Sequence, residues 1–209
     1  MPASSSFMLV VATHNAHKLR EISEILPGWT IVPDSPDVEE TEKTFCGNAR
    51  LKALAIAPRH PGAWIMADDS GLSVDALGGA PGVYSARYAG LDGDTAANNA
   101  LLLKNLEDVE DRSAHFTCAI ALVAPDGKVY DIEGRSSGRI AKKNSGAGGF
   151  GYDPLFIPDG YEKTFAELGP EEKNAISHRG RALKEVEKFL KSLLTFDLGY
   201  GTIRTAFEQ

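Results

Sequence analysis

Asp68 and Asp69 stand side by side at the end of the apolar run Ala63-Trp64-Ile65-Met66-Ala67, just before Ser70-Gly71. Adjacent carboxylates repel each other unless water or a cation neutralises them. A hard ion such as Mg²⁺ is held through one or two carboxylates plus substrate phosphates, so the pair could serve phosphate chemistry. Asp, Ser and Gly are also ordinary turn residues, and by itself the tract also reads as a solvated turn.

Four further tracts could share that chemistry. Thr13-His14-Asn15-Ala16-His17-Lys18 lies between an apolar run and a helical pattern. A helix N-terminus presents free N–H groups and partial positive charge, which suits a phosphate. Thr13 and Asn15 add hydrogen bonds and Lys18 a charge; a plain cap and loop is the alternative. Ser145 to Pro154 is glycine-dense, and Gly146 to Gly151 spell the dinucleotide-binding pattern. That pattern needs a helix immediately after it. The tract Tyr152-Asp153-Pro154-Leu155-Phe156-Ile157-Pro158 reads as extended instead, which rejects a nicotinamide or flavin site. A glycine-lined loop carrying Phe150 still suits a flat ligand, because a base can stack on the ring. Lys173 with Ser177-His178-Arg179-Gly180-Arg181 gathers basic groups at a helix start, where the dipole disfavours them unless an anion is present; a solvated basic patch is the alternative. The acidic loop Glu39-Glu40-Thr41 could add a carboxylate to a metal site or simply be solvated. A P-loop, a nucleophile elbow and a zinc-protease motif are all absent.

The elements that position these tracts follow an α/β pattern. Phe7 to Ala12 is a continuous apolar run, as in a strand buried on both faces. A helix starts at Ala16 with Leu19, Ile22, Ile25 and Leu26 on one face, and Pro27-Gly28 stops it. Trp29 to Val32 reads as a strand, Pro33 to Glu40 as a loop and Thr44 to Ala57 as a helix. Ala63 to Ala67 and Leu72 to Asp75 read as two short strands with a turn at Gly71. After a long loop to Gly93, Asp94 caps a helix over Thr95 to Leu106. Phe116 to Ala124 and Val129 to Ile140 form a hairpin around Pro125-Asp126-Gly127-Lys128. Arg179 to Leu194 is the strongest helix, with a stripe from Ala182 and Leu183 through Leu193 and Leu194. Thr195 to Gln209 shows no clear period.

The chain has 209 residues, 43% hydrophobic and 24% charged, which suits a soluble domain with a sizeable core. A net charge of −7 argues against a nucleic acid polymer as partner, but not against a small phosphorylated ligand. Cys46 and Cys118 have no metal-type spacing, and free thiols in a reducing compartment are expected. The start Met1-Pro2-Ala3-Ser4-Ser5-Ser6 has no basic region, and Phe7 to Ala12 is too short for a membrane span. The expectation is a cytoplasmic protein that engages no membrane.

Taken together, the tracts strongly resemble the inosine triphosphate pyrophosphatase family. The matching residues are Thr13-x-Asn15-x-x-Lys18, Glu39-Glu40-Thr41 with Thr44-Phe45 and Asn48-Ala49, and Ala67-Asp68-Asp69-Ser70-Gly71-Leu72-x-Val74-Asp75. They continue through Leu77 to Arg87, Gly148-Gly149-Phe150-Gly151-Tyr152-Asp153-Pro154 and Lys173-x-x-Ile176-Ser177-His178-Arg179. The order is the family's, and the match spans residues 9 to about 194 of a single domain, leaving 195–209 as an extension.

The resemblance implies an elongated α/β fold with a mixed central sheet, flanking helices and two lobes around a cleft, usually as a homodimer, with Mg²⁺ as cofactor. It implies hydrolysis of ITP, dITP and XTP to the monophosphate and pyrophosphate, which cleanses the nucleotide pool. Glu39 and Asp69 would serve the metal, Asp69 would also be the general base, and Asp68 would support it. The loop Thr13, His14, Asn15, Ala16, His17 and Lys18 would hold phosphates, with Ser70 nearby. Asp153, with Lys173, His178 or Arg179, would read the base beside Phe150, Gly151 and Tyr152.

That division has a physical rationale. Hypoxanthine offers N1–H as donor and O6 as acceptor, and adenine reverses both. A carboxylate and a cation therefore accept 6-oxo purines and leave adenine mismatched, worth up to ~10⁴-fold. Guanine is not rejected by this pairing. Two residues depart from the family pattern: His14 replaces the usual Gly, and Gly47 stands where bacterial members often have Glu. A related pyrophosphatase with another base preference is the runner-up. A non-catalytic nucleotide-binding module is the alternative of another class.

Overall fold

A computed structural model describes residues 7–35 and 38–199. Its centre is a mixed six-stranded sheet in the order β2-β1-β3-β4-β5-β6. The strands are β1 (Phe7–Val11), β2 (Trp29–Pro33), β3 (Trp64–Val74), β4 (Ser113–Val123), β5 (Val129–Ile140) and β6 (Phe156–Pro158). The helices are α1 (Ala16–Ile25), α2 (Phe45–Ile56), α3 (Thr95–Asn105), α4 (Pro170–Ile176) and α5 (His178–Gly199). β1 pairs in parallel with β2 and β3, and the β3, β4, β5 and β6 ladders are antiparallel.

The sheet is covered on both faces where the long strands cross it. Leu9, Val11, Met66, Cys118, Ile120 and Leu122 bury against Ile22 and Leu26 of α1 and Ala182, Leu183, Val186 and Leu190 of α5. The alternate positions Val10, Ile65, Ala67, Ala121 and Val123 meet Ala49, Ala53 and Ile56 of α2. Double coverage explains why β4 is buried almost throughout instead of alternating. A third cluster joins Leu72 and Val74 to Leu102 and Leu106 of the α3 region and to Phe116, Phe156 and Phe165. The stripe expected on the last helix is real, although side chains beyond Leu193 and residues 200–209 of the extension lie outside the described residues.

One expectation fails in a useful way. The two short strands around Gly71 are a single strand, β3, and Asp68 and Asp69 sit in its middle, opposite Ile120 and Ala119 of β4. The Tyr152 to Leu155 segment is a turn, and only Phe156–Pro158 is extended. Among the described residues, no helix is long and apolar enough to cross a membrane.

Candidate active site

Successive strand residues point to opposite faces, and that alternation resolves the carboxylate repulsion. Asp68 shares the face of Met66, toward α1 and α5, whereas Asp69 shares the face of Ala67, toward α2. Each carboxylate then meets its own cations.

On the α1 side, Asn15 caps the helix by accepting from the backbone N–H groups of His17 at 3.0 Å and Lys18 at 3.2 Å. Thr13 Oγ1 accepts from Asn15 N–H at 3.2 Å, and His14 Nδ1 lies 2.6 Å from Ser35 Oγ in the loop after β2. Ala16 is the first residue of α1 and is exposed. The helix start lies beside Asp68 because β1 neighbours β3, with Val11 opposite Met66. Lys18 Nζ accordingly reaches Asp68 Oδ2 at 3.0 Å and the Asp68 carbonyl at 3.3 Å. Arg179 from α5 reaches the same Oδ2 through Nη2 at 3.1 Å and donates to Ser70 Oγ at 2.9 Å. Burial opposes ionisation of Asp68, yet Lys18, Arg179 and Lys52 outweigh it and hold its carboxyl well below the usual range. Asp68 Oδ1 is buried without a hydrogen-bond partner among the described residues.

On the α2 side, Asp69 Oδ2 accepts from Asn48 Nδ2 at 3.1 Å, and its Oδ1 accepts from Ser70 N–H at 3.0 Å. Lys52 Nζ lies 3.6 Å from Asp69 Oδ1 and 2.7 Å from Glu40 Oε1. Burial lifts the Asp69 carboxyl above its ordinary value; Lys52 pulls against this and Glu40 adds to it. The two neighbours are thus pushed apart, one held as an anion and one with a raised affinity for a proton.

The acidic loop contributes through Glu40. Glu39 is exposed, whereas Glu40 reaches Lys52 and acts on Asp69. Glu39 is the residue expected to serve a metal, but the Lys52 contact belongs to its neighbour, and consecutive loop residues cannot be told apart by facing from sequence. Gly47 also finds an explanation. A Cβ at Gly47 would lie 2.7 Å from Cβ and 2.8 Å from Cγ of Glu42, so Glu42 fills the space that a larger residue would need.

The third part of the site lies beyond Asp68. Gly149 has φ +69°, and a Cβ there would lie 2.2 Å from Asp153 Oδ2, so only glycine lets the loop close over that carboxylate. Asp153 Oδ2 accepts from Phe150 N–H and from Lys173 Nζ, both at 2.8 Å. Lys173 Nζ also bonds Glu21 Oε1 at 2.7 Å, and Glu21 Oε2 accepts from Arg179 Nη1 at 2.5 Å. Burial works against the Lys173 ammonium, but Asp153 and Glu21 hold its pKa above the ordinary lysine value. The Phe150 ring stacks on His17 at 5.1 Å between centroids and lies over Lys173 and Arg179. The site therefore runs continuously from the α1 loop, through Asp68, to the glycine loop.

Three expected base-site residues make their contacts with the protein itself. The Tyr152 hydroxyl donates to the Ser85 carbonyl at 2.9 Å and its ring joins the core, so it braces the glycine loop. Arg179 spends its guanidinium on Glu21, Asp68 and Ser70. His178 is buried and stacked on Phe116 at 4.6 Å. Burial, then Arg179 and Lys173, push its pKa well down, so the imidazole is neutral and adds no cation. Its Nδ1 is buried and unpartnered among the described residues. Gly151 turns the loop with φ +60°, and its carbonyl accepts from Asn99 Nδ2 at 3.2 Å.

Glu21 and Lys52 carry no expectation from the sequence, and Asn48 matches the family pattern without an assigned role. Their signal was polar residues on a buried helix face: Asn48 and Lys52 are four apart and interleave with Ala49, Ala53 and Ile56. Among the described residues no group of three or more His, Cys, Asp or Glu side chains is placed to hold a metal ion. Glu40 and Asp69 are two carboxylates with an ammonium between them, a donor set that suits a hard cation completed by substrate phosphates.

Residues 9–189 match the model of the Ham1 family. A dITP/XTP pyrophosphatase of Leifsonia xyli is 50% identical over 192 residues, covering 88% of this chain and 96% of that protein. Another, from Geobacter sulfurreducens, is 54% identical over 184 residues, covering 84% and 92%. The structure of the Staphylococcus aureus Ham1 protein superposes with a TM-score of 0.81 at 40% identity, covering 89% of this chain and 99% of that one. A dITP/XTP pyrophosphatase structure from Mycobacterium abscessus gives 0.69 at 48% identity, covering 86% and 98%.

Proposed function

The chain belongs to the Ham1 family, and from that premise we propose that it hydrolyses the non-standard purine nucleoside triphosphates ITP, dITP and XTP to the monophosphate and pyrophosphate. The observation that carries this reading is the division of Asp68 from Asp69. One carboxylate is consumed in a buried ion pair, and its neighbour keeps a raised affinity for a proton.

Water attacks the α-phosphorus, and Asp69 accepts its proton. Lys18, the N–H groups at the start of α1 and the polar loop around Thr13, His14 and Asn15 hold the departing pyrophosphate. Asp68 keeps Lys18 and Arg179 in place and balances their charge. Glu40 and Asp69 would hold Mg²⁺, which when bound neutralises phosphate charge; Lys52 lies beside both carboxylates and keeps them paired. Glu39, exposed, is left out of this set.

The base is read by Asp153 and Lys173. The carboxylate accepts N1–H, the ammonium donates to O6, and Phe150 stacks on the ring. Arg179 and Glu21 keep that pair aimed. The two-lobed cleft, the homodimer and the cytoplasmic setting implied by the resemblance belong to the same reading.

A panel of ITP, dITP, XTP, GTP and ATP, assayed with Mg²⁺ and again in excess chelator, tests it. Monophosphate and pyrophosphate from the non-standard purines, slow turnover of ATP and loss of activity in chelator are expected. Orthophosphate with a nucleoside diphosphate, equal rates on ATP, or full activity in chelator would overturn it.

A further inference from the structure

Asn48 is a neutral, completely buried side chain on α2, among the alanines that pack on the sheet. A buried amide is costly unless its polar atoms are satisfied. Its Oδ1 accepts the backbone N–H of Glu42 at 3.0 Å, and its Nδ2 donates to Asp69 Oδ2 at 3.1 Å. The amide can be oriented only one way. A backbone N–H donates and a carboxylate accepts, so oxygen must face the loop and nitrogen must face Asp69.

Without that bond, Asp69 has one short contact, from Ser70 N–H to Oδ1, and a longer one to Lys52. The terminal torsion of an aspartate is broad, so a carboxylate tethered at one oxygen swings. With it, both oxygens are fixed. The Glu42 N–H that holds Asn48 lies two residues after Glu40, in the same loop. We infer that Asn48 is a positioning residue for Asp69, setting the carboxylate's rotation and tying it to the loop that carries Glu40. This rests on the reading that Asp69 acts in hydrolysis.

The consequence falls on turnover. Lys18, Asp153, Lys173 and Phe150, which would hold phosphates and base, lie on other elements and do not touch Asn48. Misplacing a reacting group by about 1 Å costs on the order of a hundredfold.

Two variants test the inference, with kcat, KM for ITP and thermal unfolding measured on each. Asn48→Ala removes both bonds. Asn48→Asp has the same shape and still accepts from Glu42 N–H, but it turns the group facing Asp69 from donor to acceptor. Both should lower kcat by about ten- to a hundredfold while KM for ITP stays within about threefold. A folded variant with kcat within about twofold of the parent would overturn the inference. So would a KM that rises as far as kcat falls, or failure of both variants to fold, since either makes Asn48 a structural residue. If the parent enzyme does not turn over ITP, the functional reading fails, and the role of Asn48 falls with it for that separate reason.

Discussion

Replacing Glu21 by Gln should damage both stability and base selection, although Glu21 belongs to no recognised motif. Three cations, Lys18, Lys173 and Arg179, meet three carboxylates, Glu21, Asp68 and Asp153, in one buried network. Glu21 spans two of those cations, at 2.7 Å to Lys173 and 2.5 Å to Arg179, as Asp68 spans Lys18 and Arg179. Burial opposes its ionisation, but Arg179 and Lys173 outweigh that and keep its pKa below the ordinary glutamate value, so it is an anion at neutral pH. Gln has nearly the same shape but leaves three cations facing two carboxylates. It also turns an N–H toward a group that can only donate. Breaking a buried ion pair on one side costs about 3–5 kcal/mol. For a chain of this size that lowers Tm by about 6–20 °C, at roughly 2–4 °C per kcal/mol. Lys173 also loses one of its two anchors, so the ITP/ATP ratio of kcat/KM should fall. Thermal unfolding by circular dichroism at pH 7, with kinetics on both nucleotides, reads the two effects. A Tm within about 3 °C of the parent, together with an unchanged ratio, would refute the network argument.

Asp69→Asn should remove most turnover while KM for ITP changes little, and near-normal turnover would place the base elsewhere. Lys18→Ala should weaken every triphosphate by about 1.5–3 kcal/mol, one to two decades in kcat/KM, because a phosphate contact carries no information about the base. A changed ITP/ATP ratio in that variant would contradict the assignment. His178 gives a pH dependence of stability. Its folded pKa is below its unfolded value of about 6.5, so the unfolded chain binds the extra proton and stability is lost as pH falls below that value. Tm measured from pH 7.5 down to 5.5 should fall in the parent and fall less in His178→Gln; identical slopes would show that His178 is not the group responsible.

Local periodicity carried most of the architecture. The apolar runs of β1 and β4, the amphipathic α1 and α5, and the Asp94 cap, whose side chain accepts from Ala97 N–H, could all be read from neighbouring residues. β3 could not. Asp-Asp-Ser-Gly has turn composition, and its place inside a buried strand depends on Lys18, fifty positions away, and Arg179, more than a hundred away. For the same reason Arg179 looked like a free basic group. Its saturation by Glu21, Asp68 and Ser70 appears only when α1, β3 and α5 are brought together. Glu39 against Glu40 turned on the facing of a loop with no period. Tyr152 belongs to the tract that resembles the family's base site, but the turn after Gly151 directs its hydroxyl to Ser85.

Attack by water at the α-phosphorus of a 6-oxo purine triphosphate is tested by isotopic labelling. The enzyme is incubated with ITP and, separately, ATP in oxygen-18 water with Mg²⁺, and the products are weighed by mass spectrometry. One labelled oxygen in IMP, unlabelled pyrophosphate and ATP left nearly intact over the same time are expected. Label in pyrophosphate or orthophosphate, or equal consumption of ATP, would contradict it.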